Sequence, residues 1–119
     1  MASKEFLEKH PDVVIGWLRA ELDAHRIMRE RPDYAAKLIA EEWKNYKVPL
    51  EVIRGDFNYK VFPDEITAQW RKVLTDGAEF LRSHKFIETA IDFNTFIDDS
   101  FLKKAAAIPS QLDMTQIPK

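Results

Sequence analysis

The chain has 119 residues, of which 45% are hydrophobic, 12% aromatic and 32% charged, a composition typical of one globular domain and not of a disordered segment. Its formal net charge of −2 argues against a general polyanion binder such as a nucleic-acid-binding protein. The lack of cysteine excludes disulfides, thiolate zinc sites and cysteine nucleophiles. The longest apolar run, residues 13–18, is far shorter than the roughly 20 residues of a membrane span.

Four prolines each stand just before an amphipathic stretch, where proline fits the first turn of a helix; they are Pro11, Pro32, Pro49 and Pro63. After the first, apolar residues recur at steps of three and four as far as about Arg29, which predicts a long helix. The second opens a predicted helix whose apolar stripe reaches Tyr46. The third opens a short helical segment that we expect to end at Gly55, a candidate C′ glycine.

The segment DFNYKVF at residues 56–62 alternates apolar and polar side chains, which favours one short extended strand. The most regular helix pattern then follows Pro63, with two acidic residues in its first turn and apolar residues at helical spacing up to Leu81. Gly77 lies within this apolar stripe, and we interpret it as a point where another backbone approaches closely. Two shorter helical turns are predicted within residues 86–101.

These patterns predict a mainly α chain, with a helical segment over residues 1–107 and an irregular tail over residues 108–119. Trp17, Trp43 and Trp70 each lie in a helical stripe. We therefore expect all three indole side chains to lie in the core.

No group of residues in the sequence predicts catalysis or metal binding. His25 lies on the apolar face of the first long helix, which is typical of a core or boundary histidine. Ser83 and His84 are adjacent, and because neighbouring helical residues point in different directions, we interpret them as a surface helix end. The sequence contains no HExxH, GxSxG or EF-hand pattern. We expect no enzyme activity, no cofactor and no metal site.

The aromatic residues Phe57, Tyr59 and Phe62 alternate with polar ones between two predicted helices. One interpretation is that they fill the interior of the helix bundle. The other is that this segment carries binding groups held in place by rigid helices, with Asn58, Tyr59 and Lys60 offering donors to an anionic or amide ligand. Asn58 and Tyr59 are accordingly the candidate ligand-binding residues.

Several segments, taken in order, resemble one family over about residues 3–106. They are FLEKHPDVV (6–14), LRA (18–20), RPDYAA (31–36), DFNY (56–59), FPDEI (62–66) with Trp70, LTDGAEFL (74–81), and residues 93–105 with IDDSFL at 97–102. The family is that of periplasmic solute-binding proteins of the nitrate, taurine and alkanesulfonate type, which feed ABC importers. The chain resembles their C-terminal part.

The resemblance implies a two-lobed α/β fold with the ligand in the cleft between the lobes, of which this chain would hold a helical C-terminal segment. The implied partners are a small anionic solute, captured by the intact protein, and an ABC permease in the membrane, with no nucleic acid. The implied location of the full-length protein is periplasmic, or extracytoplasmic and associated with the membrane, and we expect no signal peptide in this chain.

A fragment of such a protein would expose helix faces that the intact protein covers, so we expect the chain to form a homo-oligomer when it is made alone. An alternative function is a free-standing helical module that binds another protein through its exposed apolar stripe.

Overall fold

The computed structural model describes residues 3–60 and 62–119. Its elements are α1 (Lys4–Lys9), α2 (Pro11–Glu30), α3 (Pro32–Glu42), a 3₁₀ turn (Lys44–Tyr46), α4 (Leu50–Asp56), α5 (Ala68–Ser83), α6 (Phe93–Phe96) and α7 (Ser100–Ala107). No strand forms in the described ranges. The expectation of a mainly α chain is therefore confirmed.

Helix α2 is the longest element, and it packs against three other helices. It begins at Pro11, with Asp12 in its first turn and Arg29 in its last, which matches the polarity of the helix dipole. Its 20 residues span about 30 Å, and α1, α3 and α7 all contact it. The predicted helix from Pro11 to about Arg29 is confirmed.

The core is small. Among the described residues, the buried hydrophobic side chains are Leu22, Ala35, Ala36, Ile53, Ala105 and Met114. Three of these are alanines, which let helix backbones approach closely but contribute little apolar area each. The contacts of α7 and α3 with α2, and of α4 with α3, are built on them.

The tail after α7 returns along α2. The Ser110 hydroxyl donates to Asp23 Oδ1 at 2.6 Å, and the Arg19 guanidinium donates both to Asp23 at 2.6 Å and to the Ile108 carbonyl. Met114 is buried. Burial of the Asp23 carboxyl opposes its ionisation, but the hydrogen bonds from Ser110 and Arg19 outweigh it and lower the pKa of Asp23. The tail, although irregular, is therefore docked.

Two features predicted around residue 56 are wrong. Asp56 is the last residue of α4, and the chain then turns, with Asn58 and Tyr59 donating from their backbone N–H groups to the Gly55 and Asp56 carbonyls. No strand forms over residues 56–60 because these bonds continue the helical turn; Val61, within the predicted strand, lies outside the described residues, as do Met1 and Ala2. Gly55 lies inside α4, and no described glycine has a positive φ.

Helix α5 begins at Ala68 and not at Pro63 as predicted. Its N-cap is Thr67, whose hydroxyl accepts the backbone N–H of Trp70 at 3.1 Å, so a side-chain cap decides where the helix starts. The Asp64 carboxylate, predicted to face the helix dipole, instead accepts two bonds from the Arg29 guanidinium, each 2.8 Å long. The hydrogen bond to Asp64 raises the pKa of Arg29 above its ordinary value.

The chain is also more open than a compact protein of its size. Its accessible surface is 9406 Å², against about 6,700 Å² expected for a compact monomer of this mass. Its radius of gyration is 17.5 Å, against about 13.5 Å expected for this length. Trp17, Trp43 and Trp70 are between 45% and 64% exposed. The expectation that all three lie in the core is wrong, because nothing in the described chain covers these helix faces.

Replacing Ser110 with alanine should undock the tail in a pH-dependent way. Ser110→Ala removes a hydrogen bond to a charged group, so we expect the free energy of unfolding to fall by about 1.5 kcal/mol at pH 7. The pKa of Asp23 is lower in the folded chain than in the unfolded one. The stabilisation is therefore present above about pH 4 and disappears as the pH falls through the folded-state pKa. Urea unfolding at pH 7 and at about pH 2 measures both values.

Ser83→Ala is the matched control, because the exposed Ser83 hydroxyl bonds only within its own helix end. An equal loss of stability in Ser110→Ala at both pH values would contradict the role given to Asp23.

Replacing Thr67 with alanine should weaken the start of α5. We expect Thr67→Ala to lower the free energy of unfolding by about 1 kcal/mol, the usual value of a side-chain N-cap. Pro63→Ala should change it by less than about 0.5 kcal/mol, since Pro63 precedes the helix. Urea unfolding followed by circular dichroism compares the two variants, and a larger loss in Pro63→Ala would place the helix start at the proline.

Candidate functional site

Three apolar surfaces stand open on the described chain, and each is a candidate for binding. We call them the α1–α2 groove, the α4 hollow and the α5 stripe. The first has a cavity volume of about 590 Å³. Each surface is defined by its residues below.

The α1–α2 groove combines two helices with the segment around α6 and α7. Its lining residues are Phe6, Leu7, Val13, Val14, Trp17, Leu18, Phe96, Asp98 and Phe101. Asp98 is the charged member of this lining, and its hydrogen bond with Ser100 lowers the pKa of that carboxyl. The groove therefore offers mainly apolar and aromatic contact, with one carboxylate at its edge.

The α4 hollow contains one of the two predicted ligand-binding residues. It has a volume of about 360 Å³ and is lined by Ile39, Trp43, Val48, Val52, Ile53, Gly55, Asp56, Phe57, Tyr59 and Lys60. Tyr59 stands at the rim and is almost fully exposed. Asn58 is exposed in the same turn but does not belong to the lining. The structure thus places Tyr59 at a concave surface and Asn58 beside it.

The positive charge of Lys60 at the α4 hollow is already paired within the chain. Lys60 forms an ion pair with Asp56, four residues before it. A small anion entering the hollow has to compete with that carboxylate for the ammonium group of Lys60. The remaining contact surface for a ligand is aromatic and aliphatic, from Trp43, Phe57 and Val52.

The α5 stripe is the exposed apolar face of α5. It consists of Trp70, Val73, Phe80 and Leu81, which are between 42% and 62% exposed. No residue of α5 is buried, although all of them are described. The stripe was correctly located by its helical spacing. The expectation that Trp70, a member of the stripe, lies in the core is wrong, because periodicity identifies an apolar face but not what covers it.

Ser83 and His84 meet at the end of α5, contrary to the expectation that they point apart. The Ser83 hydroxyl lies 3.1 Å from His84 Nδ1, but both atoms also lie within 2.9 Å of the Phe80 carbonyl oxygen. Since a carbonyl oxygen only accepts, the Ser83 hydroxyl and His84 Nδ1–H both donate hydrogen bonds to it, and a protonated Nδ1 has no lone pair with which to activate the serine. The pair closes a helix end.

His25 and Asp99 are held by contacts within the chain. His25 is half-buried, with Nδ1 3.2 Å from the Pro63 carbonyl and its ring against Phe62. Asp99 accepts bonds from Arg71 and Lys103. Within residues 3–60 and 62–119, no three His, Asp or Glu side chains are grouped so that they could hold a metal ion.

Comparisons of the chain with protein-family models, with curated proteins and with solved structures return no match. A bilayer-spanning helix needs about 20 apolar residues, and no helix in the described part of the chain meets that requirement.

Proposed function

We propose that this chain is the C-terminal helical part of the solute-binding protein of an ABC importer. In this proposal the intact protein captures a small anion, such as a sulfonate, taurine or nitrate, and delivers it to a membrane permease without covalent chemistry. The observation that carries the proposal is the uncovered apolar surface, which is what a helical layer presents when the rest of its domain is missing.

The open surface of the chain supports this role. The chain exposes about 2,700 Å² more than a compact monomer of its mass. The exposed surface includes apolar side chains on one face of α5, namely Trp70, Val73, Phe80 and Leu81. Helices with one apolar face pack on a sheet in α/β folds, so a missing lobe with an exposed sheet is the partner that these faces fit.

We assign the ligand-binding role to the turn after α4. Asn58 and Tyr59 project from it into solvent, and in a two-lobed protein such a turn is free to reach across a cleft. Tyr59 offers a hydroxyl and an aromatic face, and Asn58 offers an amide donor. Closure of the lobes around the anion would then create the surface that the permease recognises.

Supplying the missing lobe tests the proposal. The 119-residue chain alone should show no rise in Tm with taurine, alkanesulfonates or nitrate, because the cleft needs both lobes. The same chain joined to the polypeptide encoded directly upstream of Met1 should gain a ligand-dependent rise in Tm. An upstream frame that lacks about 200 codons of alternating strand and helix pattern, or a joined protein that binds none of these anions, would contradict the proposal.

Asn58→Ala should weaken anion binding by the joined protein about tenfold, the value of one hydrogen bond to a charged group. It should leave Tm unchanged because Asn58 is exposed. Calorimetric titration with the bound sulfonate measures the affinity. Asn45→Ala, which changes an exposed asparagine in the 3₁₀ turn, is the matched control. An unchanged affinity in Asn58→Ala would remove Asn58 from the site.

The second candidate function is a free-standing helical protein-interaction module. The α1–α2 groove favours it, because a groove lined by Phe6, Trp17, Phe96 and Phe101 suits the apolar face of a partner helix. Such a module should bind a folded partner without any added lobe.

A further inference from the structure

We propose that the α1–α2 groove binds a small organic cation that carries a quaternary ammonium head on a hydrocarbon chain. The aromatic rings of the groove and the Asp98 carboxylate hold the head, and the aliphatic part of the lining holds the chain. This site is separate from the turn after α4, to which we assign anion binding, and it does not depend on the proposed transport function.

Four aromatic rings line this one cavity, and each belongs to a different helix: Phe6 of α1, Trp17 of α2, Phe96 of α6 and Phe101 of α7. The first three are between 42% and 64% exposed, so a ligand can reach them. The face of an aromatic ring attracts a cation, and sites built from several rings are typical receptors of quaternary ammonium groups. The groove therefore brings together the side chains that such a group needs.

One contact within the chain shows the same attraction beside the groove. The ammonium nitrogen of Lys104 lies 5.4 Å from the centroid of the Phe101 ring, within the roughly 6 Å over which a cation and a ring attract each other. Lys104 itself does not belong to the lining. A ring of the groove thus already accepts a cation from its own chain.

The charge of the lining has the sign that a cation requires. Asp98 is its charged member, and no basic side chain of the described residues lines the cavity. Hydrogen bonds with Ser100 lower the pKa of the Asp98 carboxyl, which keeps it ionised at neutral pH. The neighbouring Lys103 pairs with Asp99 at 3.0 Å, and Asp98 forms no ion pair with the rest of the described chain. Its negative charge is therefore available to a ligand.

The α4 hollow lacks this combination. It also has aromatic side chains in its lining, but its carboxylate, that of Asp56, is paired with Lys60. A cation entering the hollow meets a charge that is already compensated. We therefore expect cation binding at the α1–α2 groove and not at the α4 hollow.

The lining also decides which kind of cation fits. A primary ammonium has three N–H donors that need acceptors, whereas the charged partner in the lining is the single carboxylate of Asp98. A quaternary ammonium has no N–H to satisfy, so burial against aromatic rings leaves no donor without a partner.

The rest of the cavity suits a hydrocarbon chain. Its volume of about 590 Å³ falls within the range of about 300–1,000 Å³ that small-molecule sites occupy. The aliphatic members of the lining are Leu7, Val13, Val14 and Leu18. Each methylene group buried against them tightens binding by up to about fourfold. A chain of several carbons attached to the ammonium head thus adds affinity.

Three probes that share a six-carbon chain test the charge preference. They are hexyltrimethylammonium, 1-hexanol and 1-hexanesulfonate, each titrated calorimetrically into the 119-residue chain. We expect the cation to bind saturably with a Kd below about 1 mM and about tenfold more tightly than the sulfonate, with the alcohol between them. No saturable binding of the cation would overturn the proposal. Equal binding of the sulfonate would overturn it too, because the groove would then be an apolar surface without preference for charge.

Replacing Trp17 with leucine tests the aromatic contribution. Trp17→Leu keeps an apolar side chain but removes the ring, and we expect the affinity for hexyltrimethylammonium to fall about tenfold. Trp43→Leu is the matched control, because Trp43 is a similarly exposed indole that lines the α4 hollow, and it should bind as the wild type does. Circular dichroism establishes that both variants are as helical as the wild type. An equal loss of affinity in the two variants would contradict the location of the site.

Replacing Asp98 with asparagine tests the charge. Asp98→Asn keeps an oxygen that can accept the Ser100 backbone N–H, and it should weaken binding of the cation about fivefold while leaving the affinity for 1-hexanol unchanged. Asp113→Asn is the matched control, because this exposed carboxylate likewise accepts the backbone N–H of the residue two positions later, Thr115. Asp113→Asn should change neither affinity. A loss of cation binding in Asp113→Asn as large as in Asp98→Asn would mean that the general charge of the chain, and not the groove, selects the cation.

Discussion

The packing of α7 and the tail against α2 holds together the two ends of the described chain. It depends on Ala105, which is fully buried, and on the Asp23 carboxylate, which receives hydrogen bonds from Ser110 and Arg19. A larger residue at position 105 would push α7 away from α2. Asp23 and Arg19 of α2 are thereby used to organise the fold.

Helix α5 stands apart from this assembly. It packs on α6 and is linked to the rest by the Arg71 bonds to Asp99 and to the Phe93 carbonyl. The segment before it is held to α2 by the paired Arg29 and Asp64 side chains. An element with few buried contacts lies at the low end of local stability. Covering its apolar face would raise that stability.

Much of the helical framework follows from local rules that sequence reasoning can apply. Pro11 and Pro32 start helices where predicted, because their effect is local. The start of α5 was mispredicted because the Thr67 cap competes with Pro63, and only the fold shows that Asp64 is taken by Arg29. Gly55 and the predicted strand failed for a similar reason, since helical hydrogen bonds continue past the glycine.

The two candidate ligand-binding residues, Asn58 and Tyr59, stay predictions. Tyr59 lines a hollow and Asn58 only flanks it, a distinction that depends on how the turn after α4 is oriented. The α5 stripe was visible as a pattern, but a pattern does not tell whether the matching face belongs to the same chain. That information comes from how the helices pack on one another, which the spacing of apolar residues along the chain does not give.

The placement of the tryptophans has a practical consequence. Trp17 lines the α1–α2 groove, Trp43 lines the α4 hollow and Trp70 belongs to the α5 stripe, so each open surface carries one indole. All three indoles are partly in water, so the fluorescence emission of each lies at a longer wavelength than that of a buried indole. When its surface is covered, the emission of that indole should shift to shorter wavelength. Variants that keep a single tryptophan would report, by the wavelength of their fluorescence emission, which surface a partner occupies.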